Sequence, residues 1–277
     1  MNTILEKIIA HKKQELAHRK ELFPVKLLEQ SIYFDTEVVS LKKYLTLAEK
    51  DGIIAEFKRK SPSKGEINPY ASVEEVSIGY MQAGASALSV LTDETFFGGG
   101  NKDLTEARNY NYCPILRKDF VIHPYQIIEA RSIGADAILL IAACLSKKEI
   151  KELSRFAHKL GMEVIVEIHS AEELEQVSPE ADIIGVNNRN LKDFSVDPQR
   201  SLEILPQLPE SMVRISESGL NDPRVVAELS LQGYHGFLIG EHFMREDQPA
   251  QKCKSFIQEL KKQKASTGAP AVKSVKL

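Results

Sequence analysis

Glu56 and Lys58 stand two residues apart at the end of a short apolar run, Ile53-Ile54-Ala55. The run shows no helical period and reads as a strand. Strand side chains alternate faces, so a carboxylate and an ammonium project together from one strand end. Charges leave water only when they are paired. Such a pair is either a structural ion pair or the acid and base of a proton-transfer site. The chain then enters Ser61-Pro62-Ser63-Lys64-Gly65, which is turn chemistry.

The arrangement recurs along the chain. Other apolar runs end in Arg117-Lys118-Asp119, in Glu167 and His169, in Asn187-Asn188-Arg189, in Ser216-Glu217-Ser218-Gly219 and in Gly240-Glu241. A single polar residue at a strand end is readily structural, but six strand ends together point to a pocket. Glu56, Glu167 and Glu217 balance Lys58, Lys118 and Arg189, so this pocket is close to neutral, with acids and bases interleaved. Buried groups of both signs push one another's pKa values apart, which suits proton transfer in both directions. His169, Arg59 and Lys64 read more simply as hydrogen-bonding or solvated residues. Ser218-Gly219 leads toward the helix opened by Asp222-Pro223, and Gly240-Glu241 toward a short helical turn. Glycines there let backbone N–H groups approach a phosphate, and a helix start adds a favourable dipole.

The elements that hold these residues follow a rhythm. Strands are expected at Ile53–Glu56, Ala87–Leu91, Ile115–Lys118, Ala137–Ala142, Val164–Ile168, Ile183–Asn187, Val213–Glu217 and Gly236–Gly240. Most are continuous Val/Ile/Leu runs, as in parallel strands covered on both faces. Between them, Ser72–Glu75, Ser146–Glu149 and Ser170–Glu173 match the capping box that opens helices. Gly84, Gly134, Gly161 and Gly233 stand where helices would close before the next strand. Eight such units in about 200 residues predict an α/β fold, a single (β/α)₈ TIM barrel. An open doubly wound sheet is the alternative, and no GxGxxG follows a strand to support it. Helical spacing of Ile4, Leu5, Ile8, Ile9 and Leu16, then Leu27-Leu28 and Leu41–Leu45, predicts an N-terminal helical extension over 1–47. The barrel occupies 48–260, and the aperiodic stretch 261–277 is expected to be a disordered tail.

Composition narrows the class. The 277 residues are 43% hydrophobic and 27% charged, with a net charge of −3, ordinary for a soluble globular protein. Nothing suggests nucleic-acid binding, and no apolar run is long enough to cross a membrane. The N-terminus lacks the pattern of a secretory signal. Three scattered cysteines form neither a CxxC pair nor a metal-like cluster, which fits a reducing cytoplasm.

Seven stretches, taken in order, carry a resemblance. They are Ile54–Gly65, Ser89–Asp93 with Phe96–Gly98, Leu116–Phe120, Val166–His169, Ile184–Arg189, Ser216–Gly219 and Leu238–Glu241. Together they resemble indole-3-glycerol-phosphate synthase. The resemblance implies the substrate 1-(2-carboxyphenylamino)-1-deoxyribulose 5-phosphate, which undergoes ring closure, decarboxylation and dehydration. It implies Lys118 as the general acid of ring closure and Lys58 as partner of the substrate carboxylate. Glu56 and Glu167 would share the proton transfers of dehydration. Asn187 would fix the anthranilate ring, Arg189 and Glu217 would order the ribulose hydroxyls, and Ser61 would help to place Lys58 or the anthranilate. Ser218, Gly219, Gly240 and Glu241 would hold the phosphate, Glu241 through its backbone N–H. The implied chemistry needs no metal or organic cofactor, and a monomer is expected. An isomerase acting on a sugar phosphate, or a protein that only binds a phosphorylated metabolite, would share the phosphate site but not the chemistry of Glu56, Lys58 and Lys118.

Overall fold

The computed structural model describes residues 3–191 and 193–266. Eight parallel strands close into a barrel: β1 (Ile53–Phe57), β2 (Ala87–Leu91), β3 (Ile115–Lys118), β4 (Ala137–Ile141), β5 (Glu163–Ile168), β6 (Ile183–Asn187), β7 (Val213–Glu217) and β8 (Gly236–Ile239). β1 pairs with both β2 and β8, so the sheet has no edge. The strands fall within one residue of their expected ends.

Period-two alternation explains why charged groups crown an apolar interior. Ile54, Leu116, Ile165, Ile183, Val213, Ile215 and Leu238 belong to one buried cluster inside the barrel. Two residues further along the same faces stand Glu56, Lys118, Glu167 and Glu217. The alternate residues, such as Ile53, Ala55, Ile115, Val164 and Ile184, pack outward against the helices in a second cluster.

The connecting helices begin largely as expected. Ser72 accepts a hydrogen bond from Glu75 N, Ser146 and Glu149 complete a reciprocal capping box, and Asp222 accepts from Arg224 N. Gly233 closes its helix at φ 118°, a left-handed conformation that suits glycine. The Ser170–Glu173 capping box does not form. Only a 3₁₀ turn at Glu172–Gln176 follows β5, and Glu173 instead accepts from His169 N at 2.7 Å. A carboxylate committed to the strand end is not free to cap a helix.

The N-terminal extension contains α1 (Ile4–Leu22), α2 (Val25–Leu28) and α3 (Leu41–Thr46). Leu41 and Leu45 of α3 are fully buried in the interior cluster, beside the strand starts Ala87, Ala137 and Ile183. α3 therefore plugs the N-terminal end of the barrel. It is held there by Glu163, which accepts from Ser40 Oγ at 2.5 Å and Lys42 N at 2.8 Å. α1 reaches the opposite end. Its Lys12 is buried between Asp93 and Asp119, 3.0 Å from each, with Glu15 at 2.8 Å. The last helix, Pro249–Ser266, packs against Val73–Gln82 and Pro223–Gln232. Residues 261–266 are thus helical rather than part of a disordered tail, and 267–277 lie outside the described residues.

Candidate active site

Lys118, at the C-terminal end of β3, holds the centre of the strand-end cluster. Its Nζ lies 2.7 Å from Glu167 Oε2 and 2.6 Å from Glu217 Oε2. Burial by itself would lower the lysine pKa, but Glu167, Glu217 and Glu56 outweigh it and hold the ammonium well above its ordinary value. The two carboxylates respond in opposite senses. Burial opposes ionisation of Glu167, yet Lys118 and His169 hold it well below the ordinary carboxylate range. Burial pushes Glu217 up, and Glu167 adds to this against the pull of Lys118, leaving it at about 7. Glu217 Oε1 has no hydrogen-bond partner among the described residues. Two adjacent carboxyl groups so divided can hold one proton between them near neutrality.

Glu56 and Lys58 form a second acid–base pair, Nζ to Oε1 2.8 Å. The three carboxylates of the pocket are therefore divided between the two lysines. Glu167 and Glu217 touch Lys118, while Glu56 acts on it only through its field and pairs with Lys58. Gly240 makes room for Glu56, because a Cβ there would lie 2.4 Å from Glu56 Oε1.

His169 was expected to be an ordinary hydrogen-bonding residue, but it belongs to the cluster. Its Nε2 lies 3.3 Å from Glu167 Oε1 and its Nδ1 3.4 Å from Glu173 Oε2. Burial would lower its pKa, and these two carboxylates more than reverse that, raising it to about 9.

Two cavities open at this end of the barrel, sharing Glu56, Lys58, Ser63, Arg189, Phe194, Ser218 and Leu238 as a common wall. The first has Lys118, Glu167, Asn187, Glu217 and Ser61 among apolar side chains. Those are Ile4, Leu5 and Ile8 of α1 together with Phe97, Phe120, Leu139 and Ile141. The sequence marked the α1 residues as one face of a helix but not the surface they cover. Leu139 and Ile141 carry no charge to single them out. The second cavity is polar and is lined by Gly219, Gly240, Glu241, Lys64, His242 and Arg245.

Arg189 bridges the two cavities. Its guanidinium reaches Ser63 Oγ and Phe194 O, both at 3.3 Å, and Glu241 Oε2 at 3.4 Å. Asn187 Oδ1 accepts from Arg189 N at 3.0 Å. The Glu241 carboxylate is taken up by Arg189 and by Arg245 at 2.5 Å. Its charge is thereby partly neutralised beside the polar cavity. Ser61 Oγ lies 3.4 Å from Ser63 Oγ. All twelve residues singled out in the sequence thus line one cavity or the other. No cluster able to hold a metal ion occurs among the described residues, and no described helix is long and apolar enough to cross a membrane.

Residues 5–256 match the family model described as indole-3-glycerol phosphate synthase. A protein of that name from Bacteroides thetaiotaomicron is 47% identical over 260 residues, covering 94% of this chain and all of that one. Another from Campylobacter jejuni is 42% identical over 260 residues, covering 92% of this chain and 100% of its own. A third, from Acinetobacter baylyi, is 42% identical over 252 residues, covering 90% of this chain and 94% of its own. Among solved structures, tryptophan synthase subunit alpha from Legionella pneumophila superposes with a TM-score of 0.58 at 15% identity, covering 82% of this chain and 97% of that one. Thiamine phosphate pyrophosphorylase from Pyrococcus furiosus gives 0.57 at 14% identity, covering 81% and 99%. Those two likenesses speak to the barrel alone. With the family model spanning nearly the whole chain and full-length relatives above two-fifths identity, this chain belongs to the indole-3-glycerol phosphate synthase family.

Proposed function

We propose that the chain converts 1-(2-carboxyphenylamino)-1-deoxyribulose 5-phosphate to indole-3-glycerol phosphate with Lys118 as the acid of ring closure. The observation that carries this reading is the buried ammonium of Lys118, held between Glu167 and Glu217 on the floor of an apolar-walled cavity. The aromatic ring occupies the apolar cavity and the phosphate the polar one, which sets the ribulose chain across Lys58 and Arg189.

In ring closure the ring carbon bearing the carboxylate attacks the ribulose carbonyl carbon, and electrons move onto the carbonyl oxygen. Lys118 stabilises that oxygen and gives it a proton. Its raised pKa keeps it protonated in the resting enzyme. Loss of carbon dioxide then returns the bond electrons to the ring and restores aromaticity. Lys58 faces the substrate carboxylate through the first step and is an acid for the departing hydroxyl in dehydration. Glu56, beside Lys58, and Glu167, beside Lys118, share removal of the one ring proton that dehydration releases. Asn187 fixes the anthranilate, Arg189 and Glu217 order the ribulose hydroxyls, and Ser61 borders the ring. Ser218, Gly219, Gly240 and the N–H of Glu241 hold the phosphate. All of these groups lie on one chain, and the acting unit in this reading is a monomer. The three free cysteines support a reducing, cytoplasmic setting.

The direct assay adds the substrate and follows indole fluorescence together with carbon dioxide release. The chain has no tryptophan to mask the signal. Equal amounts of indole product and carbon dioxide support the reading. A substrate that is bound but unchanged, or isomerised without loss of carbon dioxide, overturns it.

A further inference from the structure

Asn188 follows the site residue Asn187 but is completely buried, and it lines neither cavity. Its Nδ2 donates to Ser218 O and to Ser216 Oγ, both at 3.0 Å. Its Oδ1 accepts from Ser201 Oγ at 2.8 Å, and Ser201 Oγ lies 2.7 Å from Ser216 Oγ. Its backbone N donates to Glu217 O at 2.9 Å. The side chain thus grips the turn after β7 from behind.

That turn is unusual. Ser218 has φ 69° and Gly219 has φ 75°, two consecutive residues in the left-handed region. Glycine adopts this at little cost, but a residue with a Cβ does not, and it persists there only where surrounding contacts over-determine it. The carbonyl fixed by Asn188 is that of Ser218 itself, and it belongs to the same peptide as the N–H of Gly219. Fixing this oxygen fixes the direction of that N–H.

We propose that Asn188 is a positioning residue that locks the Ser218–Gly219 turn so that the Gly219 amide points at the substrate phosphate. The proposal rests on reading the polar cavity as the phosphate site. Asn188 touches no substrate atom and acts through the peptide it holds.

The test titrates inorganic phosphate into the ¹⁵N-labelled full chain and its variants. In the parent protein, amide signals of Gly219, Gly240 and Glu241 should shift together. Asn188→Ala should bind phosphate about tenfold more weakly, the scale of one or two buried hydrogen bonds. Its Gly219 shift should be lost while those of Gly240 and Glu241 persist. The Michaelis constant should rise in parallel, with turnover kept within about twofold, since the lost interaction is the same in ground and transition states. Asn188→Asp keeps the acceptor for Ser201 and loses the donor to Ser218 O, so it should behave alike if the alanine variant does not fold. In a Ser218→Gly background the turn needs less restraint, and Asn188→Ala should weaken phosphate binding less than in the parent. Parent-like phosphate affinity and unchanged Gly219 shifts in a folded Asn188 variant overturn the proposal. Absence of those shifts in the parent protein overturns the phosphate reading instead, and the two failures cannot be confused.

Discussion

A Cβ built on Gly185 would lie 2.3 Å from Oε1 of Glu217, so the carboxylate that grips Lys118 occupies space left by the missing side chain of β6. Gly185 is needed for volume, and the nearest other neighbour, Ile165 Cγ2 at 3.3 Å, leaves little room to yield. Gly185→Ala should displace Glu217 from Lys118. A shift of this kind at a reacting group costs on the order of 10²-fold in turnover. Phosphate affinity should be unchanged, because the phosphate cavity is lined elsewhere. Steady-state kinetics with parallel phosphate titration check this, and parent-like turnover would remove Glu217 from the account.

The N-terminal helices do two different jobs. Deleting all of 1–47 would remove Leu41 and Leu45 from the barrel end as well as α1 from the mouth, and the two effects would mix. Deleting 1–22 alone, or Lys12→Met, separates them. Lys12→Met leaves Asp93 and Asp119 buried without their ammonium, at a cost of about 3 kcal/mol or more. The folded variant should show a Michaelis constant raised about tenfold as Ile4, Leu5 and Ile8 leave the aromatic wall. An unchanged constant would show that α1 only caps the barrel.

Stability should fall as pH rises toward 9. His169 is raised from 6.5 to about 9, so its contribution is fully present below 6.5 and is lost as pH climbs through 9. Glu217, raised from 4.5 to about 7, acts in the same sense over a lower window. Asp119, lowered to about 2 by Lys12 and Arg117 against its burial, opposes them only in acid. Denaturant midpoints measured between pH 6.5 and 9 should therefore decline, and His169→Asn should flatten that slope. A midpoint that rises over this range contradicts the pairing of His169 with Glu167 and Glu173.

Gly240→Ala reports on Glu56 before it reports on phosphate, since its new methyl meets the Glu56 carboxylate. Turnover should drop at least about tenfold, with inorganic phosphate still bound. Gly219→Asp, with a negative charge at the polar cavity, should instead weaken phosphate binding. Calorimetry on the two variants distinguishes them, and equal losses of phosphate affinity would contradict the assignment.

Much of the fold was legible because each strand is an apolar run closed by turn chemistry, as in Ile183–Asn187. The charged crown was legible because Glu56, Lys118, Glu167 and Glu217 interrupt such runs at their ends. Long-range pairing was not. Nothing local to Lys118 says that Glu167 and Glu217 close on it from other strands, and nothing local to Lys12 places it between Asp93 and Asp119. The Ser170–Glu173 pattern misled for a local reason, since the His169 amide, four residues back, takes the Glu173 carboxylate. Asn188 stood beside Asn187 in the sequence and both are buried, but Asn187 lines the cavity and Asn188 lies behind the turn.

Lys118→Met removes the acid of ring closure itself, because methionine keeps the length and lacks both the proton and the charge. Turnover should fall by about 10³-fold or more, combining general acid catalysis with lost oxyanion stabilisation. Substrate affinity should change far less, since ring and phosphate are held by other residues. Lys58→Met, by contrast, should damage both affinity and rate. Near-normal turnover in Lys118→Met with collapsed substrate binding would contradict the account and exchange the roles of the two lysines.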